Sequence, residues 1–350
     1  MDTMMPSLDF TPLGIAVKLR NAVFDSVFYD VTSLDPFDEL IRLNPLADRK
    51  GKIIVVSPSG SARKDTIRHY SSPAEFYNSP DWESVFALVV TGVGSSVVGT
   101  AALARNVADA CQKQLGDSQA RNVAGVVSGF GLSDVTREGL GGYFFYGMLN
   151  QYRFAFNGCL DLISAVISDN FKAAMTRKKV GDYFGSPLGD YVPIGADVVA
   201  LVKILSALYL KGTRPSNLRL LVGHSKGNLL IADAINNLSD ELRHVEHPAL
   251  GLMVVTLGAV VDIATDIIWK ENQKQFLGSL DGLGRLNSRT TQEGLAPHEC
   301  VSGKWHSLNR KLPLHMDVFE DIFEKVVIPP PPGKTRGAEP MIELQGPMNL

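Results

Sequence analysis

The sequence predicts an α/β fold: a mostly parallel central sheet covered by helices on both faces, with a helical insertion between its third and fourth strands. Three observations lead there. Short β-branched runs recur along the chain as continuous apolar stretches, the pattern of strands buried on both faces. Most are followed by segments with helical spacing, the rhythm of strand–helix units. One of them, Leu218-Arg219-Leu220-Leu221-Val222, runs through Gly223-His224-Ser225-Lys226-Gly227 straight into a helical pattern.

Taken in order, residues 52–56 (KIIVV) read as the first strand, leaving into Ser57-Pro58-Ser59-Gly60. Residues 85–90 are the second, followed by the turn Thr91-Gly92-Val93-Gly94 and a helix over 97–115. The uncharged stretch 84–104 resembles a membrane span in composition, but the glycine turn in its middle divides it into two short elements. Residues 123–127 form the third strand. The fourth, 218–222, precedes a helix from Lys226 to about Leu238. Residues 252–257 give the fifth strand, 275–280 a weaker sixth, and 299–302 a short seventh before an amphipathic helix over about 316–327.

The insertion occupies about residues 135–195, and its aromatic and aliphatic residues between Gly141 and Met175 recur at helical spacing. Either these helices pack on the sheet as ordinary core, or they cap the mouth of a site, in which case Phe144 and Phe145 would touch what binds there. Four prolines from Pro329 end the helical pattern, so 1–328 reads as one domain and 329–350 as an extended tail.

Composition narrows the function classes. In 350 residues, 45% hydrophobic and 20% charged content with a net charge of −3 describe a globular chain without the basic excess of a nucleic-acid binder. Cys111, Cys159 and Cys300 are odd in number and far apart, which predicts buried thiols of a reducing compartment, neither a disulfide framework nor a zinc site. The N-terminus lacks a basic region followed by an apolar one, so the expected location is cytoplasmic.

A strand that turns at once into a helix holds the turn residue in a sparsely populated backbone conformation. Its neighbours two positions away must be small, and Gly223 and Gly227 are. The hydroxyl of Ser225 then stands at the carboxyl end of a strand, where α/β sheets form their ligand crevice. The Lys226 N–H faces the same space from a helix N-terminus, where a negative oxygen is favoured.

On Gly223-His224-Ser225-Lys226-Gly227 the sequence resembles the α/β-hydrolase superfamily, in particular its lipase-like serine esterases. The resemblance spans roughly residues 50–328, but outside this motif it rests on element order. It departs from the family in placing a lysine after the serine, and Thr91 where a histidine usually precedes the glycine of the oxyanion turn. The resemblance implies oxyanion donors at the Val93 and Lys226 N–H groups and a chain order of serine, acid, histidine. His306, after the last strand, takes the family's histidine position, with His315 as the alternative; His244 and His247 fall too early. Asp281, in Leu280-Asp281-Gly282, matches the acid position, with Asp262 and Asp266 as alternatives.

The function so implied is hydrolysis of a small-molecule or lipid-like carboxylic ester through an acyl-enzyme on Ser225, with no metal or organic cofactor. The same groups could pass the acyl group to an alcohol or thiol, as an acyltransferase or thioesterase does. A catalytically silent protein using the crevice for binding is the alternative of a different class.

Overall fold

The computed structural model describes residues 22–34, 51–61, 67–92, 94–116, 121–128, 196–208, 216–242, 251–265, 267–288, 290–291 and 294–328. The insertion, with Phe144 and Phe145, and the proline-rich tail lie outside these residues. So do His244, His247, Asp266, Cys159 and Val93.

Ten strands are described: β1 (Ile53–Val56), β2 (Ile67–Tyr70), β3 (Val85–Val90), β4 (Asn122–Val126), β5 (Leu220–His224), β6 (Met253–Leu257), β7 (Gln273–Gly278), β8 (Thr290–Thr291), β9 (Gly294–Leu295) and β10 (Glu299–Val301). Eight of them form one mixed sheet in the order β10-β7-β6-β5-β3-β4-β1-β2, while β8 and β9 make a small separate ribbon. Every pairing from β10 across to β4 is parallel, whereas β1 is antiparallel to both β4 and β2.

The sheet is therefore mostly parallel, with one reversed strand that apolar content alone does not distinguish. The edge strand β2, Ile-Arg-His-Tyr, has no fully buried side chain, and so carries no apolar run to mark it.

The described helices are α1 (residues 22–28), α2 (Pro73–Tyr77), α3 (Asp81–Ser84), α4 (Val97–Leu115), α5 (Ala196–Ser206), α6 (Lys226–Leu242) and α7 (Gly282–Asn287). The amphipathic helix expected over 316–327 is instead a π turn, Val318–Ile322, running into a 3₁₀ turn, Phe323–Lys325.

Side-chain alternation divides the sheet between two cores. Ile53, Val55, Leu88, Val90, Leu221 and Val254 point to one face, which α5 and α6 cover through residues such as Leu201, Leu205, Leu230 and Ile235. Ile54, Val56, Ala87, Val89, Leu220, Val222 and Val255 point to the other, under α4 and the turns at 318–325. Burial on both faces is what makes these strands continuous apolar runs in the sequence. The stretch 84–104 divides as its turn requires, into β3 and the start of α4. No described helix is long and apolar enough to cross a membrane. Of the two described cysteines, Cys111 is buried as expected, and its burial pushes the thiol pKa up. Cys300 is exposed, a correction that follows from its place on the short edge strand β10.

Candidate active site

Ser225 sits between the last residue of β5 and the first of α6 with φ of 54°, one of two described non-glycine residues in the left-handed region. The conformation is held from outside the turn. Ser225 N–H donates to the Leu257 carbonyl at 2.9 Å, and Asn228 Nδ2 donates to the Leu257 and Ala259 carbonyls at 2.9 Å each. Both flanking glycines are demanded by close approach. A Cβ on Gly223 would overlap the Asn228 side chain, and one on Gly227 would overlap the Val90 carbonyl of the neighbouring strand. Strain at a single serine, braced by strand ends on both sides, is what a fixed reactive hydroxyl needs.

Asp281 and His306 are brought into contact across 25 residues of sequence. His306 Nδ1 lies 2.9 and 2.8 Å from the two Asp281 oxygens, and both residues are buried. The carboxylate also caps α7, accepting from the Gly284 N–H at 2.6 Å. A carboxylate accepts, so His306 carries its proton on Nδ1 and leaves Nε2 with a lone pair. Gly258, with φ of 65°, makes room for the pair: a Cβ there would stand 3.0 Å from the His306 ring and 3.3 Å from Asp281.

Ser225 and His306 line one cavity of about 90 Å³, together with Phe24, Phe28, Gly92, His224, Leu283 and Asn287. The Ser225 hydroxyl accepts from Asn287 Nδ2 at 3.4 Å. It makes no hydrogen bond to His306 in this structure, and such contacts commonly tighten only when substrate is bound.

The alternatives lie elsewhere. His315 is half-buried and occupied with the Leu312 carbonyl at 2.8 Å and Asp317 at 4.0 Å. Asp262 is exposed. Lys226 begins α6, so its N–H is the first of the helix. Val93 is not described, but Gly92 beside it lines the cavity. Thr91, where the family's histidine would stand, is buried and within 3.3 Å of the Thr100 hydroxyl. Among the described residues no cluster of His, Cys, Asp or Glu could hold a metal ion.

Among the polar residues at the site that no sequence pattern marks are His224, Tyr29, Asp25 and Asn287. His224 Nε2 lies 2.9 Å from the His306 carbonyl, which can only accept, so that nitrogen bears the proton. The other, Nδ1, then accepts from the Tyr29 hydroxyl at 2.9 Å, and that hydroxyl accepts from the Gly92 N–H at 2.8 Å. A one-way chain thus runs from the glycine turn through Tyr29 and His224 to the backbone of His306. Burial, and then the neighbouring His306, hold the His224 pKa well below the ordinary value, so the ring stays neutral as the chain requires.

Asp25 anchors the segment that brings Tyr29 in. It accepts from the Ser95 hydroxyl at 2.9 Å and from the Ser96 N–H and hydroxyl at the start of α4. Burial raises its pKa to about 6 against the lowering effect of those donors. Asn287 escapes a reading of the sequence because nothing in a polar residue at a helix end marks which side chain it will face. No family model matches the chain, and no curated protein or solved structure is significantly similar to it.

Proposed function

We propose that this protein is a serine ester hydrolase of α/β-hydrolase type. The observation that carries the reading is the left-handed backbone of Ser225 at a strand–helix turn, facing the cavity that the Asp281-supported His306 also lines. The spatial order of the sheet, with one reversed strand near an edge and the serine after a central strand, supports it too. So does the chain order of serine, aspartate and histidine.

In this reading the Ser225 oxygen attacks the ester carbonyl carbon while His306 Nε2 takes the hydroxyl proton. Asp281 holds the imidazole in the tautomer that can do so and stabilises the imidazolium that forms. The carbonyl oxygen, now negative, is met by N–H groups of the α6 N-terminus and the glycine turn, Lys226 and Val93 in the assignment made from sequence. The intermediate collapses, the carbon–oxygen bond to the alcohol breaks, and the proton on His306 passes to the departing alkoxide. Water, deprotonated by His306, then attacks the acyl-serine; the bond from the acyl carbon to the Ser225 oxygen breaks, His306 returns the proton to that oxygen, and the carboxylic acid leaves. His224 and Tyr29 act as positioning residues that fix the His306 backbone.

A fluorophosphonate should label the protein at Ser225, and Ser225→Ala should abolish both labelling and ester hydrolysis while the variant keeps its thermal transition. Failure of the folded wild type to label, or a folded Ser225→Ala that retains most of the activity, would sink the reading.

A further inference from the structure

Part of the lining of the cavity that holds Ser225 comes from α1, outside the strand–helix frame. Phe24 and Phe28 line it, with Leu283 of α7 also present. The Phe28 ring stands edge-on to His306 with centroids 5.5 Å apart, and Phe24 stands edge-on to Phe28 at 6.0 Å. This wall is fastened along its length. Asp25 grips Ser95 and Ser96, and the Phe28 carbonyl accepts from Leu308 N–H at 2.9 Å. The carbonyls of Ser26 and Val27 each accept at 2.6 Å, from Asn309 Nδ2 and the Ser307 hydroxyl. The backbone that carries the two rings is thus held in place, and their bulk limits what fits beside Ser225.

We propose that Phe24 and Phe28 are specificity-determining residues that restrict the acyl group to short, uncharged, apolar chains of about four carbons or fewer. The proposal rests on the hydrolase reading above. A closed dry cavity of about 150 Å³ accommodates the six carbons of benzene; the space walled by Phe24 and Phe28 is about 90 Å³, filled by about four acyl carbons, and a longer chain must run out past the two rings. Among the described residues, the lining offers no carboxylate and no Lys or Arg side chain to pair with a charged acyl group.

The test is a p-nitrophenyl ester series from acetate to decanoate, run on the wild type, Phe24→Ala, Phe28→Leu and the Phe24→Ala/Phe28→Ala double variant. Folding is checked by circular dichroism, and labelling of Ser225 by a short-chain fluorophosphonate is measured in parallel. The wild type should peak between acetate and butyrate, with kcat/KM about tenfold or more lower by octanoate, the scale of forcing methylenes into a filled space. The double variant should peak two or more carbons further out, each newly accommodated methylene raising kcat/KM by up to about fourfold. Phe24→Ala, which removes a ring in contact with Phe28, should shift the profile in the same direction by less. A wild type that prefers octanoate or longer overturns the proposal, as does an unchanged profile in folded variants, even where Ser225 is labelled. Absence of both labelling and hydrolysis in the wild type overturns the hydrolase reading along with it.

Discussion

Asp281 accepts from His306 Nδ1 and from the Gly284 N–H, so its carboxylate is fixed from two sides and sets which imidazole nitrogen bears the proton. Replacing it with Asn offers an NH₂ where an acceptor is needed and favours the wrong tautomer. Asp281→Asn should lower kcat by about 10⁴-fold with a much smaller change in KM, measured on a short ester. A loss smaller than tenfold would remove Asp281 from the proposed mechanism. Asp25 yields a prediction of a different kind. Its folded pKa of about 6 lies above the ordinary value of 3.8, so the folded state binds the proton more tightly than the unfolded one. Its contribution is fully present below about pH 3.8 and is lost as pH rises to about 6, a change on the order of 3 kcal/mol. Asp25→Asn cannot ionise, so the urea midpoint of that variant should vary less between pH 4 and pH 6.5 than the wild type's. Equal slopes in the two proteins would contradict this account.

At the scale of elements, the join between β5 and α6 is the feature on which the site depends. The helix starts so close to β3 that Gly227 faces the Val90 carbonyl with no room for a methyl group. Gly227→Ala must push α6 away from the strand or twist the turn at Ser225. Overpacking of this kind costs about 1–3 kcal/mol, and because the strain falls on backbone next to the proposed nucleophile, labelling of Ser225 should slow as well. A thermal melt and a labelling time course check both; unchanged labelling in a destabilised variant would separate the turn from the site. Gly258 has a similar role just beyond the end of β6, where its missing side chain leaves space for His306 and Asp281.

Across the molecule, residues 22–34 tie distant regions together. Tyr29 and Leu34 are fully buried in the core under α4, and the same segment bonds to residues 92, 95–96, 224 and 307–309. Removal of residues 1–34 should therefore lower the melting temperature by about 10 °C or more and abolish Ser225 labelling, because cavity wall and His224 partner leave together. A truncated protein that melts normally and still labels would show the segment to be an accessory.

Features that depend on a few neighbouring residues are legible in the chain alone. Continuous apolar runs mark β1, β3, β4, β5 and β6 because strands buried on both faces need apolar residues at every position. The serine turn is legible because the demand for small neighbours two positions either side is steric and local. The bounds of α4 and the start of α6 follow from the same local patterns. The direction of β1 is settled only by long-range packing, since parallel and antiparallel strands share one period of two. Packing also pairs His306, and not His315, with Asp281, and sets Tyr29 against His224 across 195 residues. Such contacts form when distant segments bury complementary surfaces together. That free energy is shared among residues far apart in the chain, and leaves no pattern in any one stretch of it.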